Sequence, residues 1–365
     1  MCNPKDCITV QIQFQKPILK RKKNDMEEIK NKPVACALPI QYDPEKPMQV
    51  GGQAVMEGVM MRAPGAVATA VRKPNGEIVV KREEYKSVIE KYKWLNVPVL
   101  RGAVGLIDMM ALGIRTLNWS AEVAMEDEKK EGEEKKETSK LSLYFTLFVS
   151  LALGVGIFFG LPILLTSYLF DVDKTALSFN LFSGAIRVTL FMIYLLAISR
   201  LPDIFRLFQY HGAEHKSIYA FEEEQSVALD RARTYTTLHP RCGTSFLLIV
   251  MLVSIISFAI IDSVLLQIIS DLNVFKRLLI HLPFIPIVGG LSYEVVKFSA
   301  KHTDSFWGKI LVAPGLWMQK ITTKEPDDSQ LEVALAALKS ALGLNPETIE
   351  LYEEKSYTKT FSKAA

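Results

Sequence analysis

Charge, paired cysteines and phosphate-loop glycines are what this sequence has little of. Only 23% of the 365 residues are charged while 49% are hydrophobic, which excludes a globally disordered chain and points toward a membrane. The charges nearly cancel, 43 Lys and Arg against 40 Asp and Glu for a net +3, so the basic excess of a general nucleic-acid binder is missing. The four cysteines, Cys2, Cys7, Cys36 and Cys242, form no CxxC pair, a pattern that fits a reduced, cytosol-facing chain. The Gly-rich stretch 51–58 is not followed by Gly-Lys-Ser/Thr, so it is no phosphate loop. The length is about two domains' worth.

What is present divides sharply along the chain. Residues 1–47, with Lys20, Arg21, Lys22, Lys23 and several prolines but no apolar period, read as a poorly ordered leader without a signal peptide. Residues 48–125 read as a cytosolic α+β segment. Within it Val67 to Lys73 and Glu77 to Arg82 flank Pro74-Asn75-Gly76, the signature of a β-hairpin. A helix then follows in which Arg101, Asp108 and Arg115 recur at seven-residue spacing on one side. It is expected to pack or to lie in the membrane interface rather than to span. Residues 126–140 are a mixed-charge linker.

The next 160 residues, 141–300, read as a four-span membrane domain. Leu141 to Phe170 is uncharged, Ala176 to Ser199 is apolar except for Arg187, and Gly243 to Ile261 is uncharged; each exceeds or approaches the ~20 residues a spanning helix needs. A fourth stretch, Leu278 to Val296, carries Pro283, Pro286 and Glu294, so a broken or kinked span is expected there. Arg200, Arg206, Lys216, Arg231, Arg233 and Arg241 crowd the connection between the second and third spans, against Lys174 alone in the first connection. The asymmetry predicts a cytosolic loop at 200–242 and both termini inside. Residues 301–365 read as a cytosolic helical tail, with a helix started by Asp327-Asp328-Ser329, lined by Leu331, Leu335, Leu338 and Leu342 and stopped by Gly343. The predicted fold class is a mainly α polytopic membrane protein with a small α+β portion.

Chemistry concentrates at His211-Gly212-Ala213-Glu214-His215 on a helical segment. Positions four apart lie on one helical face, so both imidazoles can reach one cation with Glu214 beside them. H-x-x-E-H is the order in which inverted zincins hold zinc and place a general base. The plainer alternative is an amphipathic helix on the membrane surface, its histidines bonded to solvent, headgroups or backbone. Three residues could complete a metal set: His239 and Cys242, in His239-Pro240-Arg241-Cys242, and Glu294. Each has a bland alternative: His239 and Arg241 as interfacial anchors, Cys242 as a small buried hydrophobe, Glu294 as a partner of Lys297. Arg187 within the second span needs a partner such as Glu294, a water-filled cavity, or a snorkelling conformation. In 51–62, Glu57 and Arg62 can make directed ionic contacts, although by spacing alone a β-turn entering a packed sheet is the preferred reading of that segment.

The segments GGQAVMEGVMMR at 51–62, HGAEHKSIYAFE at 211–222, HPRCGTSFLL at 239–248 and PGLWMQKITTKEPDD at 314–328 resemble the YqhQ-like family of bacterial multi-pass membrane proteins, uncharacterised and often labelled predicted metal-dependent enzymes. The resemblance covers roughly Val50 to Gly343 and implies an inner-membrane protein with its motifs on the cytosolic face. Two main functions and a weaker third follow as expectations. One is a metal-dependent, hydrolase-like enzyme holding a divalent metal, zinc by donor type, on His211, His215 and one of His239, Cys242 or Glu294, with Glu214 as base and Glu57, Arg62, Arg187 and Arg241 as supporting or substrate contacts. Its partners would be the lipid bilayer and a peptide or lipid-linked substrate, with no nucleic acid. The other is a non-enzymatic scaffold or assembly factor using the same polar cluster; a transporter is the third and weakest reading.

Overall fold

The turn Lys73-Pro74-Asn75-Gly76-Glu77 organises the sheet. In the computed structural model, which describes residues 8–12, 50–125, 140–169, 175–224, 226–269, 273–302, 305–344 and 349–352, Gly76 adopts φ +88°, open to glycine without steric cost. The Asn75 side chain accepts the Glu77 N–H at 2.9 Å. Six strands result: β1 (Ile8–Ile12), β2 (Gly51–Val55), β3 (Gly58–Ala63), β4 (Ala66–Arg72), β5 (Ile78–Glu84) and β6 (Ile349–Tyr352). Their order is β2-β3-β4-β5-β1-β6 with every pair antiparallel. The β2–β5 meander is its body. One strand, Ile8–Ile12, therefore falls inside the stretch read as leader, and another, Ile349–Tyr352, inside the stretch read as helical tail. The rest of 1–49 and the linker 126–139 lie outside the described residues.

Successive strand residues point to opposite faces, and here both faces are covered. Val59, Met61, Ala68, Ala70, Ile78 and Val80 pack on one side; Met60, Val67, Val71 and Val79 pack on the other. That double burial explains why these strands read as continuous apolar runs. The first face meets α6 (Pro202–Glu224) and α11 (Asp328–Ala341); the second meets Leu112, Trp119 and Val123 of α2 (Leu100–Ala124).

The chain runs on from β5 through α1 (Val88–Lys91) into α2. All three charges read along α2 meet other groups. Arg101 clasps Glu294, Asp108 accepts from Tyr85 at 2.8 Å and from the Val88 N–H at 3.1 Å, and Arg115 lines a cleft with Lys81 and Glu83. Helix α2 thus packs, as its pattern predicts, and it is not among the four helical stretches long and apolar enough to cross a membrane.

Those four are Phe148–Leu169, Ala176–Ile198, Phe246–Leu265 and Val274–Ser299. The first joins α3 (Lys140–Val155) to α4 (Leu161–Leu169) through a π-helical turn, Gly156–Gly160. The others belong to α5 (Ala176–Ile198), α8 (Gly243–Leu265) and α9 (Val274–Lys301). Of the broken or kinked span expected at Pro283 and Pro286, the break is not found: a single helix carries both, and prolines are tolerated in spans when neighbouring helices satisfy the freed carbonyls.

Arg187 resolves its cost without a carboxylate. Its Nε donates to the Phe158 carbonyl at 3.0 Å and its Nη1 to Ser254 at 3.0 Å, while the guanidinium lies 4.3 Å from the Phe159 ring centre. The π turn that contains Phe158 is the kind of local irregularity that turns a backbone oxygen outward. Glu294, suggested by the sequence as its partner, is instead held by Arg101. A second buried group joins Asp262 to Asn180, Arg277 and His281.

The short α7 (Leu229–Thr234) follows α6, and α10 (Phe306–Thr322) leads from the last span to α11. Asp327 and Gln330 form a reciprocal capping box at the start of α11, and Leu331, Leu335, Leu338 and Leu342 are buried beneath it. Asp327→Ala should cost about 1 kcal/mol of stability and lower the thermal midpoint of the detergent-solubilised protein. An unchanged midpoint would contradict the role given to this cap.

Candidate metal centre

Each position of His211-Gly212-Ala213-Glu214-His215 faces a different part of the molecule. His211 Nδ1 bonds to the Thr322 carbonyl at 2.8 Å, and His215 Nδ1 to the Thr237 carbonyl at 2.5 Å. A carbonyl only accepts, so in both rings Nδ1 carries the hydrogen and Nε2 presents its lone pair. The two rings sit 4.5 Å apart, centre to centre. Between these positions Gly212 lies so close to the Lys324 carbonyl that a β-carbon would collide with it, and Ala213 is buried in the core against the sheet.

Cys242 completes the group. It is the N-cap of α8, where its sulfur accepts from the Thr244 N–H. Its Sγ stands 3.1 Å from His211 Nε2 and also reaches His215. The three candidate donor atoms all lie within 4.8 Å of one another. His215 Nε2 is buried with no hydrogen-bond partner of its own, which in a native structure asks for an explanation. Nδ1 held by a carbonyl and Nε2 left free is how metal-binding histidines are oriented. The set of two imidazoles and a thiol fits a zinc-like cation with one open position. Burial also holds the His215 pKa below its ordinary value, the cysteine sulfur opposing, and so favours the neutral ring that a ligand must be.

Glu214 turns to the other side, toward β2. Its carboxylate accepts the Gly52 N–H, and a β-carbon at Gly52 would stand 2.9 Å from its Oε1. The glycine of the 51–62 segment is therefore required by contact with the helix that carries the histidines. Burial raises Glu214 to about 7, with His211 and the Gly52 N–H pulling the other way. The neighbouring turn docks on the same helix: Glu57, at φ +50°, receives both arms of Arg206 and the Tyr210 hydroxyl.

Of the other sequence-predicted residues, none joins the donor group. His239 lies beside it, 5.7 Å from His215 ring to ring, but its Nε2 is turned to Glu222 at 3.3 Å. Arg241 also pairs with Glu222. Glu294 is committed to Arg101 and the Val99 N–H, so the carboxylate ligand expected by analogy with inverted zincins is not brought here. Arg62 lies against Met109, Tyr85 and Glu90, and Arg187 sits within the spans. Two small clefts, one beside Arg115 and one beside Glu57, share no lining residue with the cluster.

Sequence reasoning missed the supports. Gln319 grips the His239 backbone from both sides, accepting its N–H and donating to its carbonyl, each at 2.8 Å, and thereby fixes the loop that delivers Cys242. Buried Lys216 reaches Glu325 and the Arg233 carbonyl. Gln319, Thr322, Lys324 and Glu325 all belong to the segment 314–328, a recognisable motif to which no role had been given.

With this geometry in place, the comparisons are informative about kinship. The family described as a protein of unknown function, DUF1385, matches residues 97–344. The chain belongs to that family. It is also 34% identical, over 314 residues covering 82% of this chain and 93% of the relative, to a protein of Bacillus subtilis (strain 168) named "Uncharacterized protein YqhQ". No solved structure matches the chain. The His211–His215 pair, Cys242 and the Gln319 support all fall within the DUF1385 region, whereas Gly52 and Glu57 precede it.

The raised Glu214 group predicts a pH dependence. Between about 4.5 and 7 the folded protein holds a proton that the unfolded chain has released, so stability falls as pH rises across that window. Glu214→Gln removes this loss. In chelator, the variant should match the parent near pH 4.5 and gain on it by about 3 kcal/mol above pH 7. Parallel pH profiles would contradict the buried, neutral carboxyl.

Proposed function

We propose that this DUF1385 protein is a membrane-anchored, metal-dependent hydrolase whose centre is His211, His215 and Cys242, at the cytoplasmic face of the bacterial cell membrane. The observation that carries the reading is the shared tautomer: two imidazoles tied at Nδ1 to carbonyls, with both Nε2 atoms beside one cysteine sulfur. Three protein donors leave a fourth position for water or substrate. A divalent cation held there would supply Lewis acidity and a more acidic bound water.

The chain's own groups then have definite tasks. The Thr322 and Thr237 carbonyls hold the proton on each Nδ1 and stop the rings from turning. Gln319 keeps the Cys242 loop closed over them. Glu214, one residue before His215 and held near neutral pH between its two protonation states, is the candidate proton acceptor; to act, its carboxyl must leave the Gly52 N–H. That requirement, together with the burial of both histidines, favours a second reading in which the cation is structural and the protein is a scaffold. The cytoplasmic placement rests on the basic residues of 200–242 and on the positive-inside rule, and the substrate would be a peptide or a lipid-linked molecule.

Metal content of the purified protein tests both readings. Zinc should be bound one to one, lost in His211→Ala and Cys242→Ser, and retained in Glu214→Gln. Gln319→Ala should weaken zinc roughly 10–100-fold, the usual cost of removing a support behind a ligand. Protein that binds no zinc after reconstitution defeats both. A Glu214→Gln protein that complements a deletion strain fully favours the scaffold; loss of complementation with metal retained favours the hydrolase. For orientation, Lys174→Cys should react with a membrane-impermeant maleimide in intact cells and Arg231→Cys only after permeabilisation, and the reverse pattern would invert the topology.

A further inference from the structure

Two helices outside the four spans carry apolar faces uncovered by any other described part of the chain. On α2, Leu100, Ile107, Met110, Ile114 and Leu117 are 38–62% exposed, and at 100° per residue they form one stripe about 100° wide. On α10, Phe306, Trp307, Ile310 and Trp317 are 46–71% exposed and share one face, with exposed Lys309 and Lys320 along its edge. The opposite face of α10, with Gly315, Met318, Gln319 and Thr322, is buried.

The way these helices join the spans decides what lies against them. Gly102 of α2 packs backbone to backbone on Gly290, where a β-carbon would come within 2.8 Å of the Gly290 carbonyl. Gly290 is nine residues inside the end of the fourth apolar stretch at Ser299, about 13 Å along a helix axis. The start of α2 is therefore level with hydrocarbon, and Arg101, its one charge there, is neutralised by Glu294. At the start of α10 Ser305 caps the helix and Gly308 lies against the His302 carbonyl at the end of α9. Exposed Phe298 at the end of α9 thus continues into exposed Phe306 and Trp307. Both helices thus adjoin the last span, and tryptophan with flanking lysine is the composition of the membrane–water boundary.

We infer that α2 and α10 lie in the membrane interface with their apolar stripes in lipid, and that α10 pins the His211–His215–Cys242 cluster at headgroup depth. The same helix does both: Trp317 faces outward and Thr322, which holds His211, faces inward, five residues and about 7.5 Å apart along the axis. A reaction or a binding event at the cluster is thereby placed within reach of membrane-borne molecules. The inference rests on the spans and holds whether or not a metal is bound.

The chain's four tryptophans provide the test, because Trp94, Trp307 and Trp317 are 69–71% exposed and Trp119 is 3% exposed. The full-length protein is reconstituted into phosphatidylcholine–phosphatidylglycerol vesicles, with and without lipids brominated near the headgroup end of the acyl chain. Trp307→Phe and Trp317→Phe should each lower the lipid-quenchable emission, the double variant leaving at most what Trp94 contributes, as expected for boundary residues, and Trp119→Phe should leave it unchanged. Both substitutions are conservative, and size-exclusion profiles report folding. If emission from Trp307 and Trp317 is instead quenched by aqueous iodide and untouched by brominated lipid, the stripe faces water or a soluble partner and the inference fails.

Discussion

Two hydrogen bonds from imidazole to backbone carry much of the structure's meaning. Thr322 and Thr237 are far apart in the chain, yet their carbonyls fix the two rings of one helix. For that to happen, α10 must end beside α6, the 226–242 connection must fold back over it, and the third span must begin where Cys242 can face the rings. An unpartnered Nε2 on His215 is costly in a buried setting. Gly212, Lys216 and Gln319 hold the surrounding segments together.

The sheet and the membrane domain meet through this same helix. One side of α6 presses Tyr210 and Ala213 into the sheet core, one carboxylate rests on β2, and the histidines face the start of α8. Helix α2 closes the other face of the sheet while its own N-terminus is bound to the last span by Arg101 and Gly102.

Much of this was legible in the residues. The hairpin at Pro74-Asn75-Gly76, the four apolar stretches, the helix carrying both histidines and the capped α11 depend on local pattern, and the structure has them. Which of His239, Cys242 and Glu294 would stand beside the two imidazoles was not legible, because that depends on groups remote in sequence. Arg101, 193 residues from Glu294, takes that carboxylate, and Glu222 takes the His239 ring. Backbone carbonyls leave no mark in side-chain chemistry, so Thr237 and Thr322 could not have been picked out. Gln319 could have drawn notice as a polar residue near the end of an otherwise apolar helix. The contact glycines Gly52 and Gly212 read as turn or flexibility signals until their neighbours, Glu214 and Lys324, are known.

X-ray absorption at the zinc edge of the purified, zinc-loaded protein reads out the proposed grip of two imidazole nitrogens and one cysteine sulfur on a single cation. One sulfur at about 2.3 Å and two imidazole nitrogens at about 2.0 Å are expected, with the sulfur lost in Cys242→Ser. A first shell of oxygen and nitrogen alone, or a sulfur contribution that survives Cys242→Ser, would contradict it.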